Sequence, residues 1–199
     1  MRVTPSIRLA TVRTVTDAST ASPHPALRPE GIHRVLRDGT SAQVRLLTPA
    51  DGDRLRRFHD GLSLESTRLR YFTAKPHLSD KDIAWLTDID VVNRCALVVV
   101  EHDQIIAVGR WMRPAEGSSS AEVAFITADG EQGRGIGTLL LAMLIELAPD
   151  FGITTFTASV LLENHSMTKV LRHSGYRVSV SMDYGVREME IDLTSPLDD

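Results

Sequence analysis

Three glycines at alternate positions stand directly before an apolar run, about two-thirds of the way along the chain. The loop Gln132-Gly133-Arg134-Gly135-Ile136-Gly137 leads straight into the apolar run at 139–145. That run is too long for an ordinary strand and is typical of a buried helix. A glycine loop that leads into a helix N-terminus is suited to anions, because bare N–H groups and the helix dipole point outward together. The pattern therefore predicts a phosphate or pyrophosphate site.

Other readings of this loop fit less well. A turn that only connects a strand to a helix does not need three alternate glycines, which cost backbone entropy. A Walker A loop needs a lysine after its last glycine, but Gly137 is followed by Thr138. A dinucleotide fingerprint needs its third glycine three residues after the second, whereas Gly137 comes two residues after Gly135.

Bulk composition fits one globular domain. The 199 residues, 42% hydrophobic and 24% charged, can bury a substantial core. The net charge of −4 argues against nucleic acid and a membrane surface as partners. The lone Cys95 lies beside an apolar stretch, which predicts a small buried hydrophobe and no internal disulfide. No apolar run approaches the ~20 residues of a membrane span. The histidines show no paired ligand spacing, so we expect no metal site.

The first thirty residues differ from the rest. They are rich in Thr, Ser, Pro and Arg, and their acids are Asp17 and Glu30. Such an acid-poor leader resembles an organelle transit peptide, but its prolines and weak periodicity favour a flexible tail. It lacks the apolar core of a secretory signal. We predict a tail at 1–30, one domain at 31–195 and a cytoplasmic location.

The rest of the chain mixes strand and helix patterns. Asp38-Gly39 predicts a hairpin between strands at 33–36 and 43–47. Pro49 to Asp51 predict a helix start, and Ser63 and Ser79 predict two more. Further strands are predicted at 96–101, 104–112, 122–127, 153–160, 177–183 and 188–193, with a helix at 164–173. This order predicts a mixed α/β (α+β) domain whose sheet is mostly antiparallel, flanked by helices and split where the ligand enters.

The loop resembles the acyl-CoA loop of the GNAT N-acetyltransferase superfamily, Gln/Arg-x-x-Gly-x-Gly/Ala. Gln132, Gly135 and Gly137 fill its positions. The segment 163–167, followed by Gly175-Tyr176, resembles the family's second motif, an asparagine on a short helix that ends at Gly-Phe/Tyr. The motifs occur in the family's order, and residues from about 40 to 193 can be laid on its fold. The resemblance implies a GNAT fold with acetyl-CoA as co-substrate.

The segment from Gly61 to Phe72 resembles bacterial GNAT domains of the protein-lysine-acetyltransferase type. This likeness implies a protein lysine ε-amine as the acceptor. A small-molecule amine acetyltransferase and a non-catalytic acyl-CoA sensor are alternatives that the sequence leaves open. A homodimer is also possible on the evidence of the sequence.

Glu122 is the candidate general base. An amine acceptor is mostly protonated at neutral pH, so a carboxylate must take up its proton before it attacks a thioester. Glu122 stands in an otherwise apolar predicted strand. From spacing alone, Glu122 is explained equally well as a solvated carboxylate at the start of the strand or as a general base. The family resemblance favours the general base. Glu101 and Glu116 are weaker rivals.

The resemblance also implies the residues that contact acyl-CoA. Backbone groups of the strand beside the split contact the pantetheine arm, and the glycine loop contacts the pyrophosphate. Asn164 matches the family's pantetheine-contacting asparagine, although it can equally cap a helix. The tyrosine that many members use to protonate the thiolate is replaced by Leu171, which puts a side-chain general acid in doubt. The predicted acyl-CoA residues are Phe125, Ile126, Thr127, Gln132, Gly133, Arg134, Gly135, Ile136, Gly137, Thr138 and Asn164.

Overall fold

The computed structural model describes residues 24–197, which form a single eight-stranded sheet with helices on both faces. The strands run across the sheet in the order β1-β2-β3-β4-β5-β6-β8-β7, and all described neighbours are antiparallel except β5 and β6. The predicted mixed, mostly antiparallel fold is confirmed. The elements are β1 (Ile32–Val35), β2 (Ser41–Leu46), α1 (Gly52–Asp60), α2 (Leu64–Tyr71), α3 (Asp80–Thr87), β3 (Arg94–Glu101), β4 (Gln104–Met112), β5 (Ser120–Thr127), α4 (Ile136–Leu147), β6 (Thr155–Leu161), α5 (His165–Arg172), β7 (Tyr176–Asp183) and β8 (Val186–Pro196).

Local capping sets where the early helices begin. The Ser63 hydroxyl accepts a hydrogen bond from the N–H of Ser66 at 3.1 Å, and α2 starts there as predicted. At α3 the Ser79 hydroxyl accepts from the N–H of Asp82, whose carboxylate accepts in return from the Ser79 N–H at 2.8 Å. These reciprocal bonds satisfy N–H groups that a helix start otherwise leaves free.

Two apolar cores lie on opposite faces of the sheet. Helices α4 and α5 cover a large core that includes Trp111, Leu140 and Phe156, all fully buried. Helices α1 and α3 cover a smaller one on the other face. Helix α4 packs directly on β4 at Gly109, where any Cβ would lie 3.0 Å from the Cβ of Leu140. This close contact fixes the N-terminus of α4 relative to the central strands.

The packed domain begins earlier than residue 31. Pro25–Leu27 form a short 3-10 helix whose Ala26 is fully buried in the large core. The flexible tail predicted for 1–30 is therefore wrong over 24–30, because a buried apolar side chain anchors this stretch. Residues 1–23 lie outside the described part of the chain.

Two further features concern Cys95 and membrane spans. Cys95 is fully buried, as predicted, and burial raises the pKa of its thiol to about 12. Between residues 24 and 197, no helix combines the length and apolar character needed to cross a bilayer.

A buried ion pair ties β2 to the start of α1. The Asp51 side chain is almost fully buried and accepts two hydrogen bonds from Arg45, each 2.7 Å long. Burial alone would raise the pKa of Asp51, but bonds from Arg45 and Thr48 outweigh it and hold the pKa below its usual value. This carboxylate therefore stabilises the fold at neutral pH, and its contribution is lost as pH falls through the depressed pKa.

We expect Asp51→Asn to lower the free energy of unfolding by about 3 kcal/mol at pH 7, because it leaves Arg45 without its charge partner. Urea unfolding measures this, with Asp53→Asn on the exposed side of the same helical turn as the control. The deficit should shrink as pH falls below the unfolded-state pKa of an aspartate, about 3.9. A deficit that is equal for both variants would contradict the role given to the pair.

Candidate functional site

Strands β5 and β6 separate and open the sheet in its middle. They pair in parallel only from Ser120 to Glu122 on β5, opposite Thr155 to Thr157 on β6. Beyond this point β6 continues along β8, while β5 stays paired with β4 through Thr127. The edge of β5 that faces the gap therefore carries backbone groups with no strand partner in the described residues. Such an edge can pair with an extended ligand.

The gap widens into a cleft of about 700 Å³, a size typical of small-molecule sites. It is bounded by the open end of β5, the glycine loop, the first turn of α4, helix α5 and part of α2. Of the predicted acyl-CoA residues, the following line it: Phe125, Ile126, Thr127, Gln132, Gly133, Gly135, Ile136, Gly137, Thr138 and Asn164.

The glycine loop adopts a backbone that suits glycine. Gly133 and Gly135 have φ angles of 83° and 82°, in the left-handed region that other residues enter only with strain. Gly135 is the N-cap of α4, so the free N–H groups of the helix's first turn lie at the cleft. This is the arrangement of an anion site at a helix N-terminus.

Helix α2 bridges the two sides of the cleft. The Asp129 carboxylate, just before the glycine loop, accepts from the Ser63 N–H at 2.8 Å and the Ser66 hydroxyl at 2.6 Å. On the other side, Arg68 pairs with Glu163 at 2.8 Å, next to the start of α5. Sequence reasoning did not place α2 at the cleft, although the Gly61 to Phe72 resemblance marked the segment.

Asn164 caps α5, since its side-chain oxygen accepts from the N–H of Met167 at 3.0 Å. Asn164 also lines the cleft, so its capping role is compatible with the predicted ligand contact. The capping bond uses the carbonyl oxygen of the amide and leaves the NH₂ group for another partner.

The side chain of Arg134 is held away from the cleft. Its guanidinium binds Asp38 at 2.5 Å and Glu101 at 2.7 Å, and it also contacts Glu131. Three carboxylates thus hold this side chain beside the β1–β2 turn. Arg134 is the one predicted acyl-CoA residue that does not line the cleft. Glu101, a rival for the base, is occupied by the same network.

The side chain of Arg37 lies at the glycine loop. It lies in the β1–β2 turn, is exposed and lines the cleft. A Cβ added at Gly135 would lie 2.9 Å from its Cγ and Nε atoms, so its side chain passes directly over the glycine loop. The N–H of Arg37 also donates to the carbonyl of Arg134 at 3.2 Å. No sequence pattern indicates this contact, because the two segments lie far apart along the chain.

Glu122 lies at the point where the sheet opens. It is the last β5 residue paired with β6, and its side chain is exposed. Strand alternation puts it on the face of Ala124 and Ile126, the face that α1 and α2 cover. It does not line the large cleft itself. The carboxylate therefore stands at the inner end of the gap and is accessible from the opposite side.

Leu171, at the position of the family's tyrosine, is fully buried in the large core. It is a packing residue and has no polar group to offer. Tyr176 is partly buried against the same core, as expected of an aromatic residue that packs the end of the helix. His173 lines the cleft, and its Nδ1 is 2.8 Å from the carbonyl oxygen of Lys169.

Comparison with known proteins identifies the family. The model of the acetyltransferase (GNAT) family matches residues 62–176, more than half of the chain. The chain belongs to the GNAT acetyltransferase family. The matched region includes α2, the open edge of β5, the glycine loop and α5, which are the elements that bound the cleft.

Relatives within the GNAT family carry acetyltransferase names. The chain is 35% identical over 113 residues to Acetyltransferase Pat of Mycolicibacterium smegmatis, covering 56% of this chain and 34% of that protein. It is 30% identical over 140 residues to an acetyltransferase of Pseudomonas aeruginosa, covering 67% and 74%. The chain thus spans about a third of the length of Pat.

Solved structures show the same fold. The GNAT domain of S. lividans PAT superposes with a TM-score of 0.77 at 38% identity, over 81% of this chain and 96% of that one. A cAMP-binding acyltransferase from Mycobacterium smegmatis superposes with a TM-score of 0.58 at 27% identity, over 84% of this chain and 49% of that one. The GNAT assignment therefore rests on sequence and structure together.

We expect Arg134→Met to lower the free energy of unfolding by roughly 1–2 kcal/mol, because it leaves three neighbouring carboxylates without their shared cation. Added salt should reduce this loss by screening the repulsion among Asp38, Glu101 and Glu131. Thermal unfolding at low and high salt measures both effects. Arg37→Met is the matched control and should unfold like the parent protein. Equal stability of the two variants would refute the structural role of Arg134.

Proposed function

We propose that this GNAT acetyltransferase transfers an acetyl group from acetyl-CoA to the ε-amine of a lysine on a protein. The observation that carries the proposal is the opening of the sheet beyond Glu122, with a cleft that runs from Phe125 on β5 to the glycine loop. A donor in the cleft and a base at the point where the strands separate can then meet at one place. A cytoplasmic location is part of the proposal and rests on composition alone.

Acetyl-CoA fits the cleft as a donor. The pyrophosphate would lie over residues 133–138, where left-handed glycines and the first turn of α4 offer N–H groups. The exposed guanidinium of Arg37 is placed to add a charged contact. The pantetheine arm would pair with the free edge of β5 at Phe125 to Thr127, with Asn164 on the opposite wall. Cofactor use by the family supports the same donor.

The chemistry is direct transfer. Glu122 takes a proton from the acceptor ammonium, and the neutral amine attacks the thioester carbonyl and forms the C–N bond. An N–H group on the free β5 edge polarises the carbonyl oxygen as charge develops there. The nitrogen then loses a second proton to solvent, the C–S bond breaks, and the CoA thiolate leaves and takes a proton from solvent. No side-chain acid is needed at position 171, where the buried Leu171 stands.

A protein lysine is the acceptor we favour. The α2 segment, which resembles protein acetyltransferases, bridges the cleft through Ser63, Ser66 and Arg68. The side chain of Glu122 is exposed, so a lysine on the surface of another protein can reach it. The 35% identity to Acetyltransferase Pat supports the same subgroup.

We expect Glu122→Gln to bind acetyl-CoA as the parent protein does but to turn over ~10²–10⁴-fold more slowly at neutral pH. Raising the pH should recover part of the rate, because the acceptor then loses its proton without help. Initial rates across pH and calorimetry with acetyl-CoA test both parts. Glu116→Gln, in the exposed loop before β5, is the control. Near-normal turnover of Glu122→Gln at pH 7 would remove Glu122 from the role.

Labelled acetyl-CoA tests the choice of acceptor. The protein is incubated with it and either a chemically deacetylated lysate or a panel of small amines. We expect label on the lysines of a few proteins and a much lower rate with small amines. Label on small amines alone would identify a small-molecule acetyltransferase. Tight binding of acetyl-CoA without transfer to any acceptor would favour an acyl-CoA sensor.

A further inference from the structure

A second cavity lies on the opposite face of β4 and β5 from α4. It is small, about 20 Å³, which is room for a group the size of a water molecule or part of a carboxylate. Its apolar walls come from the smaller core and from Val108, Ala124 and Ile126 on the sheet. Its polar walls are the side chains of His59, Arg70, Tyr71 and Arg110.

Two arginines face this cavity without an acidic partner. Arg110 donates one long hydrogen bond, 3.4 Å, to the carbonyl of Leu86, and Arg70 lies 5.1 Å from the centre of the Tyr71 ring. Among the described residues neither guanidinium forms an ion pair with a carboxylate. The other arginines that lie near the smaller core differ, since Arg45 binds Asp51 and Arg56 binds Asp80.

The environment of the two guanidinium groups is unfavourable for their charge. Burial lowers the pKa of Arg110 to about 10, and the like charge of Arg70 adds to this effect. Burial also lowers the pKa of Arg70, and the nearby Tyr71 and Glu122 oppose this only in part. An anion bound between these two like charges would lower the electrostatic cost of burying them.

His59 adds an unsatisfied polar group to the same cavity. Its side chain is about 1% exposed, and neither ring nitrogen has a hydrogen-bond partner in the described part of the chain. Burial lowers the pKa of His59 and so favours its neutral form, which carries one N–H donor. A buried donor left without an acceptor is destabilising, so a ligand oxygen here would relieve it. The cavity thus offers donors from α1, α2 and β4.

The cavity adjoins the proposed reaction site. Arg70 lines both this cavity and the large cleft. Ala124, on the cavity wall, is two residues along β5 from Glu122 and on the same face, a distance of roughly 7 Å. An amine at Glu122 would therefore lie near an anion bound at Arg70.

We propose that Arg70, Arg110 and His59 form a carboxylate-binding site that selects acceptor lysines flanked by an acidic residue. The inference rests on the proposed function and specifies its acceptor. A planar carboxylate matches the fork of a guanidinium and needs less room than a tetrahedral phosphate. The aspartate or glutamate beside the acceptor lysine would bind here and place the ε-amine at Glu122.

Paired lysine peptides test the proposal. Each pair differs by Glu or Gln at one flanking position, and the two positions on each side of the acceptor lysine are scanned. We expect the Glu peptide at one position to exceed its Gln partner about tenfold or more in kcat/KM. The Glu/Gln ratio should fall to near one in Arg70→Gln and in Arg110→Gln. Arg56→Gln, which removes a paired surface arginine, should keep the parent ratio.

Either of two results would overturn the site. The parent protein could show no preference for Glu over Gln at any flanking position, or the preference could survive in both Arg70→Gln and Arg110→Gln. Thermal unfolding checks that the variants fold. If Arg70→Gln does not, Arg70→Lys, which keeps the charge but loses the fork, should still lower the ratio. Preference for free lysine over lysinamide, without any preference among the peptides, would assign the site to a small amino acid and overturn the flanking-residue proposal.

Binding without transfer separates this inference from the proposed function. Calorimetry with acetyl-lysine forms of the same peptides, in the presence of CoA, reports anion recognition alone. If no peptide is acetylated but the Glu form binds more tightly through Arg70, the proposed function fails and the carboxylate site stands. If peptides are acetylated without any Glu preference in rate or binding, the carboxylate site fails and the proposed function stands.

Discussion

The free edge of β5 beyond Glu122 is the constraint on which the site depends. A strand in the middle of a sheet normally has partners on both sides, and unpaired backbone groups are tolerated only where they reach solvent or a ligand. Here the two halves of the sheet are joined at the base of the gap by three residue pairs, Ser120 to Glu122 with Thr155 to Thr157. Above that base, β6 is held by β8 and β5 by β4.

Packing keeps the gap from closing. Beneath its base, Trp111 and Phe156 are fully buried, with ring centres 6.2 Å apart, and Trp111 also packs on Phe151. Helix α4 lies against β4 at Gly109, so the glycine loop is held at one end of the gap. Because interiors of this kind are close-packed, the two half-sheets cannot slide together without moving this core. The packing of this core therefore keeps the cleft open.

The arginines of the domain fall into two groups with different consequences. Arg45 and Arg134 are held by carboxylates and join distant segments, β2 to α1 in one case and the β1–β2 turn to the glycine loop in the other. Arg37, Arg70 and Arg110 line cavities and form no ion pair within residues 24–197. A guanidinium already held by carboxylates has little left to offer a ligand, whereas one without them attracts an anion. In the second group, Arg37 lies at the glycine loop, toward the proposed donor, whereas Arg70 and Arg110 line the small cavity, toward the proposed acceptor at Glu122.

Sequence alone determined the elements and the chemistry that short spacings encode. The glycine loop followed by an apolar run gave α4, Asp38-Gly39 gave the hairpin, and β4 was predicted with its observed bounds, Gln104–Met112. Serine and asparagine caps placed the starts of α2, α3 and α5, because a cap acts within three residues of itself. The segments that the family resemblance marked line the cleft.

Only the tertiary structure decided which charged side chains reach the cavities. The side chain of Arg134 binds Asp38, 96 positions away, and it is the side chain of Arg37 that lies over the glycine loop. Ala26 joins the core from a stretch that looked like tail, and His59, Arg70 and Arg110 meet from three separate elements. A long flexible side chain can point to several partners, and which one it meets depends on how distant segments pack. No local periodicity records that choice, so it was settled by the fold.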